Sequence, residues 1–393
     1  MHFCDKHTLL SFARCSRGIH AYASTWSVWQ YVGWVRMRRS QLAERRFSLL
    51  RFAAVDVCLS RLSDDGVGDI LAMQNALTQY PRCIGIRVDS LITETQWHQL
   101  LAIDTLRGMV RFRGYALDKY SLQMMLPHVV RAWTSLRSLE VDNFLGHCSV
   151  ESSMTTLPWL HTARFIGPLP VDIVDILSHC SVLENLALHT CLLQSVVALL
   201  TAPATGSWLR RLQLESLHIF FELPDVDTWR SVWINLRLLE TLTVDQCRGV
   251  NAMLTPLVEC DASSSMIPRL SCLTITCTSL VMEAPNHDTY DERTLPGITL
   301  FPAAEVPDPG LLVQLQSARG PQLVICIRMP SLQLIETEFN RPYDNSNNVD
   351  PEEQAEIYAW EKEKYSVLSA AFRRIGCAVV ELAESPNSID MEF

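Results

Sequence analysis

The sequence has no apolar run long enough to cross a bilayer. Its longest runs, such as Leu192 to Leu200, are short and interrupted, and a spanning helix needs roughly 20 residues. It has no basic excess either. A formal net charge of -10 argues against a general nucleic-acid binder, because neutralising phosphates takes a basic face. The 13 cysteines are an odd number and include no Cys-x-x-Cys pair, and there is no secretory leader. Together these features read as reduced thiols in the cytoplasm or nucleus. Four catalytic or phosphate-binding patterns are also missing: G-x-x-x-x-G-K-[ST], G-x-G-x-x-G after a strand, G-x-S-x-G and H-E-x-x-H. The absences disfavour an enzyme and leave a soluble intracellular chain with no cofactor. At 48% hydrophobic and 19% charged, the composition is that of a folded protein. Its 393 residues exceed one compact core, so the chain splits into domains or runs as a repeat array.

One stretch organises the rest: Leu183-Glu-Asn-Leu186-Ala-Leu188-His-Thr-Cys191-Leu-Leu193. Its spacing, L-x-x-L-x-L-x-x-C-x-L, is the short signature of a leucine-rich repeat. In that pattern a short strand turns Leu186 and Leu188 inward, Ala187 and His189 face out, and Cys191 satisfies a turning backbone. Weaker copies recur around Ala53, Ile86, Val110, Leu139, Ala163, Leu212, Leu242, Leu273, Ile298 and Ile335. From Ile86 onward the steps run from 23 to 37 residues. A stacking unit of roughly 20–29 residues is usual for this repeat, so longer steps imply inserted loops or longer helices.

Plausible helices precede the strand copies: one opening at Asp64, Asp65 and Gly66, then Asp172 to Leu177, Val196 to Leu200 and Thr228 to Ile234. Carboxylates and a threonine near these starts fit N-capping. Short strands alternating with helices in one direction predict an α/β leucine-rich-repeat-like solenoid, a curved parallel sheet with helices outside. It spans residues 51–339, with a proline-rich surface insertion at about 283–310. Residues 340–393 add a turn-rich linker, a capping helix opened by Asp350-Pro351 and ended by Gly376, a last strand at Ala378 to Leu382 and an acidic tail.

Residues 1–50 read differently. Leu9, Leu10, Ala13, Ile19 and Ala23 fall at helical intervals, closed by Trp26 and Trp29. Arg36, Arg38, Arg39, Arg45, Arg46 and Arg51 then form the wet face of a basic helix that buries Val35, Leu42 and Phe47. The run Leu9-Leu10-Ser-Phe12-Ala13-Arg-Cys15-Ser16-Arg17-Gly-Ile19-His20-Ala21 with Val28-Trp29 resembles the second half of an F-box. That half reads D-L-L-x-x-A-x-x-S/C-R-x-x-H-x-x-A before an x-L-W ending. Followed by such repeats, the chain looks like the fungal F-box and leucine-rich-repeat proteins. The resemblance implies an N-terminal helical cap in which Leu9, Leu10, Phe12, Ala13, Ile19, Val28 and Trp29 dock the linker subunit of a cullin–RING ubiquitin ligase. It further implies that the chain recognises a protein substrate for that ligase and performs no chemistry itself. The Leu-Pro-x-Glu helix that opens an F-box has no counterpart ahead of Asp5. A stand-alone protein-interaction scaffold, with the same helices merely capping the first repeat, is the alternative.

The candidate binding surface follows from strand alternation. With the leucines inward, the outward ladder carries Arg87 and Asp89, Arg111 and Arg113, Glu140 and Asp142, then Arg164. It continues through His189, Gln213, Glu215, Thr243, Asp245, Thr274 and Thr276. The early rungs are arginine-rich and the later ones acidic or neutral, so the expected ligand is a protein with the opposite charge order. Neither nucleic acid nor membrane is an expected partner. His179-Cys180 with His189 and Cys191 is the best metal candidate, but the repeat turns Cys191 inward and His189 outward, which is unsuited to one tetrahedral ion. Asp64, Asp65 and Asp69 are better explained by helix capping than by a hard cation.

Overall fold

The computed structural model describes residues 34–38, 54–59, 83–88, 94–103, 108–115, 129–142, 157–259, 268–277, 306–331 and 351–382, apart from single residues and the loop 218–222 within them. It also describes Gln333 and, near the N-terminus, the helical and exposed Ser11, Cys15, Gly18 and Ala21. The chain forms two compact units, Met1–Leu183 and Glu184–Phe393.

The first unit holds strands β1 (Trp34–Arg38), β2 (Ala54–Leu59), β3 (Cys83–Val88), β4 (Arg111–Tyr115), β5 (Ser138–Asp142) and β6 (Thr162–Ile166), with helices α1 (Glu94–Leu101) and α2 (Val171–Ser178). Each strand pairs in parallel with the next in chain order. Register brings Val57, Ile86, Phe112, Leu139 and Ala163 side by side, and none of the five is exposed to solvent. Phe112 meets Trp97 edge-on at 6.0 Å and Trp133 at 5.5 Å between ring centroids, so aromatic bodies fill the space that leucines fill elsewhere.

The second unit repeats the scheme. It contains β7 (Asn185–His189), α3 (Leu193–Thr201), α4 (Pro203–Gly206), β8 (Arg211–Glu215), α5 (Val226–Asn235), β9 (Thr241–Asp245), α6 (Val250–Glu259) and β10 (Cys272–Thr276). It closes with α7 (Pro309–Arg319), β11 (Val324–Pro330), α8 (Pro351–Arg374) and β12 (Ala378–Leu382). These strands are likewise parallel neighbours in chain order. Leu186, Leu212, Leu242, Leu273 and Ile325 align in one buried row.

A shared backbone device fixes the entry of five strands, β5, β6, β8, β9 and β10. The carbonyls of Val110 and Arg137 in the first unit, and of Glu184, Arg210 and Glu240 in the second, each accept two successive amides opening the next strand. At the exit, Cys191 Sγ donates to the His189 carbonyl at 3.3 Å and Cys247 Sγ to the Asp245 carbonyl at 3.2 Å. Both thiols are fully enclosed. The cysteine of the signature therefore satisfies a backbone carbonyl just after the strand.

Helices pack beside one another along the second unit, α3 on α5, α5 on α6 and α6 on α7. Trp229 stacks on Trp233 at 5.7 Å, and Trp233 Nε1 donates to Met253 O at 2.7 Å. Asn235 Nδ2 reaches Leu200 O at 2.6 Å and Ala202 O at 2.8 Å, closing the end of the preceding helix. Asp225 caps α5 by accepting from the Thr228 amide at 2.8 Å. Asp308 does the same for α7 through Gly310, with Pro309 in the first turn and Gly320 ending the helix at φ 76°.

Several expectations need correction. Trp34–Arg38, read as part of a basic helix, is the first strand, because Val35 and its neighbours find a pairing edge in β2. The copy read at Ala53 sits four residues later, where Val57 faces Ile86. The copy read at Val110 centres on Phe112. Strand β10 pairs with Val324–Pro330, whose alternating Ile325, Ile327 and Met329 are buried and where no copy was expected; the copy read at Ile335 lies outside the described residues. Helix α8, its end at Gly376 and strand β12 lie where the sequence predicts them. The helix expected from Asp64, the strand at Ile298 and the docking residues Leu9, Leu10, Phe12, Ala13, Ile19, Val28 and Trp29 lie outside the described residues.

Leu212 is 1% exposed between Leu186 and Leu242. Leu212→Ala should cost about 2–5 kcal/mol by chemical denaturation. Trp208→Ala, at a side chain 50% exposed, should change stability by no more than about 0.5 kcal/mol.

Candidate recognition surface

In a strand whose even positions are buried, the odd positions share the other face. In the first unit this face carries a rung of in-register residues: Cys58, Arg87, Arg113, Glu140 and Arg164. The rung before it holds Gly85, Arg111, Ser138 and Thr162. Glu140 bridges two guanidiniums: its Oε2 lies 2.5 Å from Arg113 Nε and its Oε1 accepts from Arg164 Nη1 at 3.3 Å. All three side chains are mostly enclosed, at 14–23% exposure. The expected Arg87, Arg111, Arg113, Glu140 and Arg164 thus share one face, with four of them in a single rung. The Asp142 side chain and Asp89 lie outside the described residues.

The second unit presents its own series. Ala187, Gln213, Thr243, Thr274 and Cys326 form one rung; His189, Glu215, Asp245, Thr276 and Arg328 form the next. This second rung departs from expectation. His189, Asp245 and Thr276, expected on a solvated face, are only 5%, 3% and 3% exposed. His189 Nδ1 lies against Glu215 Oε2. His189 Nε2, Asp245 Oδ1 and Thr276 Oγ1 are buried without a hydrogen-bond partner. Burial first, and then the neighbouring Glu215 charge, push the Asp245 carboxyl up to about 7. The Thr276 hydroxyl and the Arg328 guanidinium oppose that rise. The hydroxyl is near enough to act without completing a hydrogen bond of good geometry.

Arg328 was not foreseen, because β11 was sought further along the chain. The alternation of Ile325, Ile327 and Met329 was the signal that would have found it. The thiols near this face are inert. Burial pushes Cys247 and Cys277 up to about 12, and Cys191 well above the usual thiol range. His179, the other half of the metal candidate, is exposed at the end of α2, where its Nδ1 lies 2.7 Å from Asp175 O. Among the described residues no group of three or more His, Cys, Asp or Glu side chains is arranged to hold a metal ion, and no helix is long and apolar enough to cross a membrane.

The bridge at Glu140 neutralises guanidiniums that are largely out of water, so its removal is costly. Glu140→Gln should lower stability by about 1–3 kcal/mol in urea denaturation. Neither a scan against protein-family models nor a search of curated proteins matched the chain.

Proposed function

We propose that the chain is a protein-recognition subunit built as a leucine-rich-repeat solenoid, and that it selects substrates for a cullin–RING ubiquitin ligase. One observation supports recognition above all: Arg87, Arg113 and Arg164 stand in one register rung with a single acid, Glu140, that pairs with the last two. Guanidiniums held by a carboxylate are already oriented, so an acidic segment of a partner binds them with little further ordering cost. Charge complementarity of this kind selects a partner and fixes its register. The ligase link rests on the F-box resemblance of residues 5–32. In that role the conjugating enzyme supplies the reactive thioester and this chain supplies the contact. The described cysteines are all free thiols, which fits work in the cytoplasm or nucleus.

Two measurements test the two halves separately. A fluorescent oligo-glutamate peptide should bind the full chain, and the Arg111→Glu, Arg113→Glu double variant should weaken it about tenfold or more, a loss of about 1.4 kcal/mol. Equal binding by wild type and variant discards the arginine rung. A pull-down with the ligase's linker subunit should retain the chain. A chain that binds the acidic peptide but not the linker subunit is a stand-alone interaction scaffold.

A further inference from the structure

The rung that runs from His189 to Arg328 is polar, and His189, Asp245 and Thr276 within it are closed to solvent. Register sets Asp245 directly beside Glu215 on one side and Thr276 on the other. A buried carboxylate beside a second acid stays charged only at large cost, so burial and the neighbouring Glu215 both favour the protonated form of Asp245. His189 Nδ1 sits against Glu215 Oε2 from the strand on the other side of β8. Asp245 Oδ1 and Glu215 Oε2 are both buried without a hydrogen bond, and Asp245 is the less exposed of the two acids, so burial beside a second carboxylate places the proton on Asp245.

The groups facing this carboxyl can be named strand by strand. Glu215 comes from β8, with His189 of β7 behind it; Thr276 and Cys277 come from β10, and Arg328 from β11. Cys247 follows on β9 itself, and Lys364 of α8 acts on Cys277. Both thiols stay neutral across the physiological range, since burial holds each at about 12. Arg328 is the cation that acts on Asp245 among the described residues, from the strand beyond Thr276.

We propose that this rung is a proton-linked latch in the second unit, closed around a protonated Asp245 and opened to water when that proton leaves. The step is a proton transfer alone: the Asp245 O–H bond breaks, the electron pair stays on the carboxylate, and water takes the proton. What remains is a second negative charge beside Glu215, with one orphaned oxygen to solvate. Water entering the rung supplies the missing hydrogen bonds. With the Asp245 carboxyl raised to about 7, the change falls near neutral pH. The latch goes beyond the recognition reading and needs no partner to operate.

The sign follows from linkage. The folded chain holds the Asp245 proton more tightly than the unfolded chain, where the carboxyl has its ordinary value of 3.8. This stabilisation is complete below about pH 4 and is lost as pH rises to about 7. Relative to Asp245→Asn, the neutral isostere, the wild-type folding constant should fall up to about tenfold per pH unit across that window and level off above it. Infrared spectra of the full chain at about pH 6 should show the carbonyl band of an un-ionised carboxylic acid. The band should disappear on titration through about pH 7 and be absent from Asp245→Asn.

Amides of β8 to β10 should exchange faster above neutrality in the wild type than in Asp245→Asn at the same pH. If Asp245→Asn does not fold, Glu215→Gln serves instead: removing the neighbouring charge should move the band's titration to lower pH. Absence of the band, parallel stability profiles, an unmoved titration in Glu215→Gln, or equal exchange protection on both sides of neutrality would each overturn the latch.

Discussion

Register is the constraint on which both units depend. Parallel strands taken in chain order bury every second side chain, and a slip of one residue would turn Leu186, Leu212 and Leu242 outward while burying Gln213 and Thr243. The leucine row penalises that slip through lost burial, and the doubled amide contacts on Glu184 O, Arg210 O and Glu240 O penalise it through lost hydrogen bonds. Once register is set by the buried side, the other side has no freedom. Residues at matching positions are forced to stand about 4.8 Å apart from strand to strand, whatever their charges.

The two units resolve that enforced proximity differently. In the first, Glu140 falls between Arg113 and Arg164, so these two guanidiniums are each set beside an opposite charge. In the second, two acids, Glu215 and Asp245, are adjacent, and the Thr276 hydroxyl and the Arg328 guanidinium act on Asp245 against that proximity. Like charges directly opposite one another weaken a sheet. The second rung persists because Leu214 and Val244, buried on the reverse side of the same strands, hold the strands together regardless.

Much of this was legible in the sequence, for a physical reason. The leucine triplets announce themselves because burial demands apolar residues at a fixed alternation, and Leu139, Leu186, Leu212 and Leu242 all occupy buried strand positions. The helix opened by Pro351 was legible because end chemistry is local, whereas α5, read from Thr228, begins at Val226 behind its Asp225 cap. Strand β1 was not, since an arginine-rich segment with a few apolar residues satisfies a helical pattern as well as a strand until its partner is known. The copy at Phe112 was misplaced by two residues because Val110 and Phe112 are both apolar and both buried or nearly so. The face was legible as a set of residues but not as an environment. Nothing in the spacing of His189 or Asp245 says whether solvent reaches them; that depends on what lies above the strand, which is tertiary.

The distinction between cheap and costly charge separates structure from function here. Arg210 with Glu240, and Arg230 with Asp227 and Glu259, are exposed ion pairs on the second unit. Solvent screens each of them, so they could be replaced with little consequence. Asp245 is the opposite case. A leucine or threonine in its place would suit the register and the burial better than a carboxyl whose oxygen has no donor and whose neighbour is Glu215. A position that departs from the cheapest solution, inside an array that otherwise follows it, marks a site where stability has been given up for something else. The arginine rung and the acidic rung both meet that description, the one by concentrating cations around a single acid and the other by leaving buried acceptors unsatisfied. The leucine rows can sustain both because the burial that holds the strands lies on the opposite face.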